Sequence, residues 1–474
     1  MNFSKKEERD IFEHVKGYGQ AHVFKWWNEL GSESRTRLMR QIQEINFEQL
    51  AGLISNLTKE ASTEPVQMEP AEYIPLPSDQ EMENNRVQAQ QIGEKAVQEG
   101  KLGVFTVAGG QGTRLGFDGP KGCYPIGPVT QKSIFQLHAE KIAAASRQFD
   151  TTIPWYIMTS EANDVATRDF FESHGFFGLN IDDVYFIKQR LLPVVDRTGK
   201  LILAKKDSIF MSPNGHGGSF MAMMDGGVIE DAKKRGIEFL SYFQVDNVLI
   251  HIVDPVFVGY HLEARSQMSS KMLKKRDSYE KLGHFGKING RLHVIEYSDM
   301  SEADMTARDD NGRLKYEAGS IGIHLIDIDF ARHMIETDSS LIYHVANKKI
   351  PCIDENGHLV QPDKPNGYKF ERFVFDALPE AENPIILETE RAGEFSPVKN
   401  KKGEDSPDTA RQHISNYFGS WLEGAGIEIR RDNKGNVKGN IEISPLYAGS
   451  ADEFITKVVP GLQFEQSLYL GPSY

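Results

Sequence analysis

Cysteine is scarce in this sequence, with Cys123 and Cys352 the two cysteines among 474 residues. Two cysteines cannot form the disulfide framework of many secreted proteins, so we expect reduced thiols and a cytoplasmic location. Long apolar runs are also lacking, since the best candidate, residues 248–260, is broken by a histidine, an aspartate and a proline. A membrane-spanning helix needs about 20 apolar residues, so we expect none. The first ten residues are charged and lack an apolar signal core.

Positively charged residues are also fewer than negatively charged ones. The chain has 54 Lys and Arg against 68 Asp and Glu, a net charge of −14. An acidic protein is a poor general binder of nucleic acid or anionic membranes, so we expect neither as a partner, and no obligate protein partner is evident. A protein of this charge that handles phosphates must use a few well-placed cations. Hydrophobic residues, at 39%, suffice for a sizeable core.

The middle of the chain alternates short apolar runs with amphipathic segments such as 133–147 and 228–235. This alternation predicts an α/β fold, in which helices cover both faces of a mainly parallel sheet. The strand candidates are 103–108, 153–158, 184–187 and 238–245.

The two ends of the chain have a different texture. Residues 1–60 have apolar positions near helical spacing, 61–80 are proline-rich and extended, and a polar helix is expected at about 80–99. Near the other end, 427–431 and 440–446 read as strands of a small β-containing domain. The predicted domains are a helical N-terminal region at 1–99, a catalytic domain at 100–405 and a C-terminal domain at 406–474.

The most informative segment follows the first predicted strand. It is the glycine-rich run 109–116, which contains Arg114 and is followed by Lys121. Glycines let backbone N–H groups approach a phosphate closely. The P-loop pattern GxxxxGK followed by Ser or Thr is absent. The dinucleotide pattern GxGxxG also fails, because Leu115 occupies its third glycine position and the glycine comes one residue later, at Gly116. The spacing therefore predicts a phosphate-binding loop of another kind.

The segment AGGQGTRLG (108–116), followed by PKG (120–122), resembles the type I UDP-sugar pyrophosphorylases, and most of all their UDP-N-acetylglucosamine (N-acetylhexosamine) pyrophosphorylase branch. The resemblance implies a Rossmann-like nucleotide-sugar-transferase core. It also implies an enzyme that transfers a uridylyl group from UTP to a sugar 1-phosphate, most of all N-acetylglucosamine 1-phosphate, and releases pyrophosphate. Further motifs continue the resemblance in order: PNGHGGSF (213–220), FQVDN (243–247), VIEYSDM (294–300), PNGYKFERFVFD (365–376) and EFSPVKN (394–400).

The same resemblance implies a role for individual residues. Arg114, Lys121 and Lys369 are the expected catalytic cations, and Asp246 is the expected ligand of Mg²⁺, or of Mn²⁺. The implied nucleotide contacts are Val107, Ala108, Gly109, Gly110, Gln111, Gly112, Gln189, Gly215 and Asp246. The implied sugar phosphate contacts are His216, Gly283, Glu296, Tyr297, Ser320 and Lys399.

Two of these assignments, those of Asp246 and Gln189, also have a chemical rationale. Asp246 ends a predicted parallel strand, where a carboxylate faces the ligand crevice, and Mg²⁺ accepts one or two carboxylates together with phosphate oxygens. The competing interpretation is an aspartate that caps a turn. Gln189 has an amide that can both donate to and accept from a base, although an ordinary loop glutamine would look the same.

The sequence departs from the N-acetylhexosamine enzymes in its sugar-reading motifs. Their Asn-Ala-Gly-Asn-Ile is replaced by residues 317–321, in which Glu317 and Ser320 stand for the two asparagines. Their Gly-Asn-Gly-Gly becomes Gly-His-Gly-Gly at His216, as is typical of UDP-glucose and broad UDP-sugar pyrophosphorylases. A UTP–glucose-1-phosphate or broad-specificity enzyme is therefore an alternative. A non-catalytic UDP-sugar sensor is a second one, but it would be expected to lose one of the charged residues.

Overall fold

The computed structural model describes residues 3, 5–57, 68–337 and 341–472, so part of the predicted connection at 61–80 lies outside the described residues. The chain divides into two compact units, each assembled from separate stretches. The predicted domain boundaries stay predictions. The first unit comprises Met1–Val66, Arg190–Gly218 and Leu341–Val374, and the second comprises Gln67–Gln189, Ser219–Ser340 and Phe375–Tyr474.

The helices lie at both ends of the chain and between the strands. The predicted helices at 80–99, 133–147 and 228–235 are confirmed as α4, α5 and α8, and α5 begins where the Ser133 hydroxyl accepts a hydrogen bond from the backbone N–H of Gln136. No helix in the described ranges is both long and apolar enough to cross a membrane. Among the described residues the α-helices are α1 (Lys6–Gly17), α2 (Ser32–Glu44), α3 (Phe47–Leu57), α4 (Gln80–Gln98), α5 (Ile134–Gln148), α6 (Asp164–Ser173), α7 (Ser219–Asp225), α8 (Val228–Arg235), α9 (Pro255–Glu263), α10 (Glu302–Thr306), α11 (Ile328–Glu336), α12 (Arg391–Glu394), α13 (Pro407–Gly424) and α14 (Ala451–Lys457).

The strands include the four that the apolar runs predict. These four are confirmed as β2, β3, β4 and β10 of the following set. The strands are β1 (Met68–Pro70), β2 (Leu102–Val107), β3 (Trp155–Thr159), β4 (Val184–Lys188), β5 (Leu191–Pro193), β6 (Val195–Asp196), β7 (Leu203–Lys205), β8 (Ser208–Ile209), β9 (Met211–Pro213), β10 (Phe239–Gln244), β11 (Met268–Lys274), β12 (Gly283–Ile288), β13 (Arg291–Ile295), β14 (Ala318–Asp327), β15 (His344–Lys348), β16 (Cys352–Ile353), β17 (Leu359–Val360), β18 (Gly367–Glu371), β19 (Ile385–Glu388), β20 (Asn440–Ile443) and β21 (Ser467–Leu470).

Among the described residues, the second unit contains a ten-stranded sheet in the order β1-β12-β14-β10-β2-β3-β4, with β11 beside β14, β19 beside β11, and β13 beside β12. The strands β10, β2, β3 and β4 run parallel, and β14 is antiparallel to its neighbours. Every residue of β3 is buried, as expected for a parallel strand covered on both faces. The parallel strands place their carboxyl ends at one edge of the sheet, and the predicted α/β core is confirmed.

The last part of the second unit is a small α/β region. The predicted strand at 440–446 is confirmed as β20, which pairs in parallel with β21. The predicted strand at 427–431 is wrong, because only Arg431 forms a single bridge, to Val437. Ile427 and Ile429 pack instead against a hydrophobic cluster formed by residues of α13, β20 and α14, so their alternation reflects packing on this cluster without strand pairing.

The first unit confirms the predicted helical N-terminal region. The helices α1, α2 and α3 contribute to an aromatic-rich core that includes Phe24 and Trp27. The strands β15, β18 and β6 form a three-stranded antiparallel sheet, and β5 pairs with β9. Residues 215 and 216 follow β9, and Lys369 lies within β18.

Candidate active site

The glycine-rich segment after β2, residues 108–121, forms a closed loop that we call the nucleotide loop. The Gly112 N–H donates to the Gly119 carbonyl over 2.8 Å, and the Lys121 N–H donates to the Gly110 carbonyl over 3.0 Å. A Cβ atom at Gly112 would lie 2.7 Å from the Phe117 ring, so a side chain does not fit there. Glycine therefore allows this closure, which brings Lys121 back beside the start of the loop.

Two side chains that follow β3 hold the back of the nucleotide loop. The Ser160 hydroxyl donates to the Gly109 carbonyl over 2.8 Å. The Asn163 amide donates to the carbonyls of Ala108 and Gly110 over 2.9 and 3.3 Å. Both side chains are buried. Sequence reasoning missed these two residues, although a polar Ser-x-x-Asn group directly after a buried parallel strand was a usable signal.

Gln189 lies against the same loop, at the end of β4. Its backbone N–H donates to the Thr159 carbonyl over 2.9 Å, and the residue is buried. A Cβ atom at Gly109 would lie 3.3 Å from Gln189 Oε1. The structure thus brings Gln189 beside the predicted nucleotide contacts, and its reading of the base stays a prediction.

Asp246 follows β10 at the carboxyl edge of the parallel strands. Its Oδ2 atom lies 3.0 Å from the Nζ atom of Lys121, and the carboxylate is buried. Burial alone would raise the pKa of Asp246, but the charges of Lys121 and Lys399 outweigh it and hold the pKa below its ordinary value. Asp246 is therefore an anion at neutral pH, paired with Lys121 and influenced by the charge of Lys399.

The segment 394–399 is fastened to the residues after β10. The Val398 N–H donates to the Asp246 carbonyl over 3.0 Å. The Asn247 amide donates to the Glu394 carbonyl over 2.8 Å, and Asn247 Oδ1 accepts from the Ser396 N–H over 2.9 Å. We call residues 246–247 and 394–399 the acceptor edge. Sequence reasoning assigned no role to Asn247, whose place directly after Asp246 was the available signal.

Four predicted sugar contacts lie around the start of β12. Gly283 pairs with Ser320 of β14 across the sheet. A Cβ atom at Gly283 would lie 2.7 Å from Val294 and 3.7 Å from Glu296 Oε1, so this position requires glycine. Tyr297, next to Glu296, is exposed. The structure therefore brings Gly283, Glu296 and Ser320 together.

Glu317, the other departure from the family motif, is engaged elsewhere. The Tyr73 hydroxyl donates to Glu317 Oε1 over 2.5 Å, and the Glu317 carbonyl accepts from the Lys275 N–H over 2.9 Å. Burial and the bond to Glu317 raise the pKa of Tyr73. The two replaced positions are thus unequal, because Ser320 lies at Gly283 whereas the Glu317 carboxylate contacts Tyr73.

Gly215, His216 and Lys369 belong to the first unit, whereas Gln111 and Arg114 lie in the nucleotide loop of the second. Gly215 has a φ of +82°, and a Cβ atom there would lie 2.3 Å from the Arg372 carbonyl, so only glycine fits. The Arg372 carbonyl accepts the Gly217 N–H over 2.8 Å. Lys369 lies three residues before Arg372, on β18. The structure thus brings the strand that carries Lys369 to the turn at Gly215.

His216 is a half-buried residue with a neutral imidazole. Its Nδ1 atom accepts the Val374 N–H over 3.1 Å, and its ring stacks on Phe373 at 5.1 Å. Burial, with a smaller contribution from His344, lowers the pKa of His216 to about 4. It can therefore offer a hydrogen bond but not a positive charge to a phosphate at neutral pH.

A metal ion could be held only with help from the substrate. The described residues contain no group of three or more His, Cys, Asp or Glu side chains placed to hold a metal. Mg²⁺ is commonly bound by one or two carboxylates together with phosphate oxygens and waters. The single, ionised Asp246 fits an ion that arrives with a nucleotide, and it does not fit a resident metal centre.

The C-terminal part of the second unit supports the chain just beyond the nucleotide loop. Glu442 of β20 is buried, and its Oε2 atom accepts the N–H groups of Val129 and Thr130 over 2.9 and 2.8 Å. Arg411 of α13 donates to the Pro125 carbonyl over 2.8 Å. Residues 406–474 thus take part in holding the segment that follows Lys121.

Residues 47–404 match the family described as UTP–glucose-1-phosphate uridylyltransferase. The chain belongs to this family. It is 36% identical over 470 residues to UDP-N-acetylglucosamine diphosphorylase 2 of Arabidopsis thaliana, covering 94% of this chain and 91% of that protein. It is 35% identical to the human UDP-N-acetylhexosamine pyrophosphorylase-like protein 1, covering 98% and 97%. The predicted family and the predicted enzyme class, a UDP-sugar pyrophosphorylase, are confirmed.

A solved structure gives the same result for the fold. The uridine diphosphate N-acetylglucosamine pyrophosphorylase of Trypanosoma brucei superposes with a TM-score of 0.83 at 25% identity, covering 100% of this chain and 99% of that one. The predicted nucleotide-sugar-transferase core is therefore confirmed along the whole chain.

Proposed function

We propose that this UDP-sugar pyrophosphorylase uses UTP and N-acetylglucosamine 1-phosphate in the cytoplasm, with Mg²⁺ (or Mn²⁺) as its metal. The observation that carries the proposal is the buried Asp246 paired with Lys121 beside a closed glycine loop, with Lys399 three residues beyond the segment that bonds to Asn247. Such an arrangement suits a triphosphate on one side and a second phosphate on the other. The names of the similar proteins support the choice of sugar.

The reaction needs positioned charge more than chemical catalysis by side chains. The sugar phosphate attacks the α-phosphorus of UTP in line, the bond to the β-phosphate oxygen breaks, and the electron pair leaves with pyrophosphate. The N–H groups of the nucleotide loop, with Arg114 and Lys121, neutralise the triphosphate and the leaving pyrophosphate. Lys399 holds the incoming phosphate beside Asp246. Lys369 contributes a further cation to the triphosphate.

Asp246 would hold the metal together with oxygens of the bound phosphates. A bound Mg²⁺ supplies positive charge to oxygens that gain negative charge during transfer. The low pKa of Asp246 keeps its carboxylate available as a ligand throughout the neutral pH range. Lys121 shares that carboxylate, so the same residue links the metal ligand to the nucleotide loop.

Glu296 and Ser320 are the proposed sugar readers. An ionised Glu296 accepts hydrogen bonds from sugar hydroxyls. Ser320 is smaller than the asparagine of the N-acetylhexosamine enzymes. It therefore leaves more space for the acetamido group and is a weaker hydrogen-bond partner for it. His216 and Ser320 favour a second candidate, a UTP–glucose-1-phosphate or broad-specificity activity. We therefore propose a relaxed preference for the sugar.

The test is a panel of sugar 1-phosphates, each assayed with UTP and Mg²⁺ for pyrophosphate release. N-acetylglucosamine 1-phosphate should give the highest kcat/KM, with glucose 1-phosphate and galactose 1-phosphate as measurable substrates. A preference of about a hundredfold for glucose 1-phosphate would overturn the proposed sugar, because a lost pocket hydrogen bond can produce a ratio of that order. A protein that binds UTP but releases no pyrophosphate with any sugar would be the sensor instead.

A further inference from the structure

A buried charged side chain lies behind the acceptor edge. Lys271 of β11 is 1% exposed, and its Nζ atom is 2.7 Å from Asp254 Oδ2 and 2.9 Å from Glu394 Oε2. Glu394 is itself only 2% exposed. A charge at this depth is tolerated only when it is well paired, so the ammonium of Lys271 and the two carboxylates depend on one another.

Glu394 connects this ion cluster to Asp246. Its Oε1 atom accepts the His251 N–H over 3.1 Å, while its backbone carbonyl accepts the Asn247 amide over 2.8 Å. Asn247 follows Asp246 directly and also accepts the Ser396 N–H. Glu394 therefore fastens the chain after β10 to the segment that leads to Lys399.

Asp254 connects the same ammonium to a rigid element. Its Oδ1 atom accepts the N–H groups of Val256 and Phe257, which caps the first turn of α9. Lys271 thus bridges the start of a helix and the acceptor edge from a central position on β11. Without the ammonium, the buried carboxylate of Glu394 and the partly exposed carboxylate of Asp254 would be two like charges that repel each other in a place with little solvent.

We propose that Lys271 is a positioning residue for uridylyl transfer, acting through Glu394 and Asn247 to fix the separation of Asp246 and Lys399. The inference rests on the proposed roles of Asp246 and Lys399. It assigns to Lys271 no contact with substrate. Its effect is geometric, since a displacement of about 1 Å at a reacting centre can cost about a hundredfold in rate.

The decisive variant is Lys271→Met, which removes the charge and keeps a long apolar side chain. We expect the KM for the sugar 1-phosphate to rise and kcat/KM to fall by about a hundredfold. The affinity for UTP, measured by calorimetry in a chelator, should stay within about twofold, because the nucleotide loop is held by Ser160 and Asn163 and not by this cluster. If Lys271 only stabilised the fold, Lys271→Met would lower kcat/KM and the affinity for UTP together.

A double variant separates positioning from folding. Lys271→Met combined with Glu394→Gln removes one charge of each sign and keeps an acceptor for the His251 N–H, so it should recover about tenfold in kcat/KM over Lys271→Met alone. Where Lys271→Met does not fold, Glu394→Gln supplies the test, with the same selective rise in KM. Arg235→Met is the control, since Arg235 pairs with Asp183 and Asp231 at the opposite edge of the sheet. It should lower the unfolding temperature without changing the KM.

Three results would overturn the inference: an unchanged KM in Lys271→Met, a parallel loss of UTP affinity, or a double variant no better than the single one. Asp246→Asn and Lys399→Ala belong in the same panel. If both keep full activity, the proposed function is wrong. If both lose activity while Lys271→Met has normal kinetics, only the positioning role is wrong.

Discussion

The nucleotide loop and the acceptor edge face the same reaction but are held in place by different forces. Neutral hydrogen bonds from Ser160 and Asn163 hold the nucleotide loop. The acceptor edge has neutral hydrogen bonds of its own, but it also depends on charged groups. The buried Asp246 pairs with Lys121 and is influenced by the charge of the exposed Lys399, and the buried Lys271 pairs with Glu394. Neutral bonds of this type contribute about 0.5–1.5 kcal/mol each and do not respond to pH. Loss of one partner of a buried ion pair costs about 3–5 kcal/mol.

Because the nucleotide loop and the acceptor edge are supported differently, substitutions in the two regions should have different effects. Changes at the nucleotide loop should weaken UTP binding in modest steps. Changes at the acceptor edge should have larger effects on turnover, and those effects should depend on charge. Four experiments test this difference between the two regions, and they are given in order of decreasing expected effect.

The largest effect is expected for Asp246→Asn. The substitution keeps the shape of the side chain but removes the anion that pairs with Lys121, so turnover should fall by about 10³ and the required Mg²⁺ concentration should rise. Pyrophosphate release measured against Mg²⁺ concentration tests this. The exposed Asp169→Asn serves as the control. Full wild-type activity in excess chelator would show that the metal assignment is wrong.

Lys121→Ala should lower turnover by about 10², and Arg114→Ala by a similar or smaller factor. Lys121 belongs to the nucleotide loop yet pairs with Asp246, so its loss should affect both regions. Steady-state kinetics with thermal unfolding as a second readout will show whether turnover falls far more than stability. Near wild-type turnover in both variants would refute the proposed site.

Asn163→Ala should act on the nucleotide loop alone. It removes the amide donor of the buried Ala108 carbonyl, at a cost of about 1–3 kcal/mol in the free energy of unfolding, whereas the exposed Gly110 carbonyl keeps the Lys121 N–H. UTP affinity should fall by about tenfold, while the KM for the sugar 1-phosphate at saturating UTP should not change. The exposed Asn84→Ala is the matched control. An equal rise in both constants would mean that the two regions are not supported separately.

The smallest effect at neutral pH should come from His138, a buried residue of α5 whose Nε2 atom lies 2.9 Å from the Val245 carbonyl, next to Asp246. Burial lowers the pKa of His138 to about 3. The unfolded chain therefore binds more protons than the folded one below pH of about 6.5, and stability should fall as pH decreases from there toward 3. This residue contributes a slope of up to about 1.4 kcal/mol per pH unit to the free energy of unfolding.

Urea unfolding at several pH values measures that slope in the wild type and in His138→Gln, which keeps an amide donor for the carbonyl. The slope should be smaller in the variant. An unchanged slope would mean that His138 titrates normally and that the acceptor edge owes none of its acid sensitivity to this residue.

Local patterns account for what the sequence predicted correctly. The parallel strands were readable because each is a short apolar run, and those other than the edge strand β4 are buried on both faces. The glycine loop was readable because its cations lie within a few residues of one another. The strand predicted at 427–431 was wrong because alternating isoleucines can pack on a mixed hydrophobic cluster, as Ile427 and Ile429 do, without pairing with another strand.

The residues that support the site could not be predicted, because their partners are distant in the sequence. Lys271 and Glu394 are far apart in sequence, and nothing near either residue identifies its partner. The same holds for Asn163 and the carbonyls that it contacts, and for Glu317, whose hydrogen bond to Tyr73 distinguishes it from Ser320. Such pairings depend on the tertiary fold, whereas a motif records only neighbours along the chain.

The contact of Glu442 with Val129 and Thr130 has a consequence for the order of events during translation. The ribosome releases residues 108–130 long before it adds residue 442, so in the growing chain these two N–H groups lack the carboxylate that holds them in the finished protein. We expect a nascent chain stalled before residue 440 to retain UTP poorly, whereas the completed chain binds it. Copies that end before residue 442 would then leave the cellular UTP pool untouched, because they lack this contact.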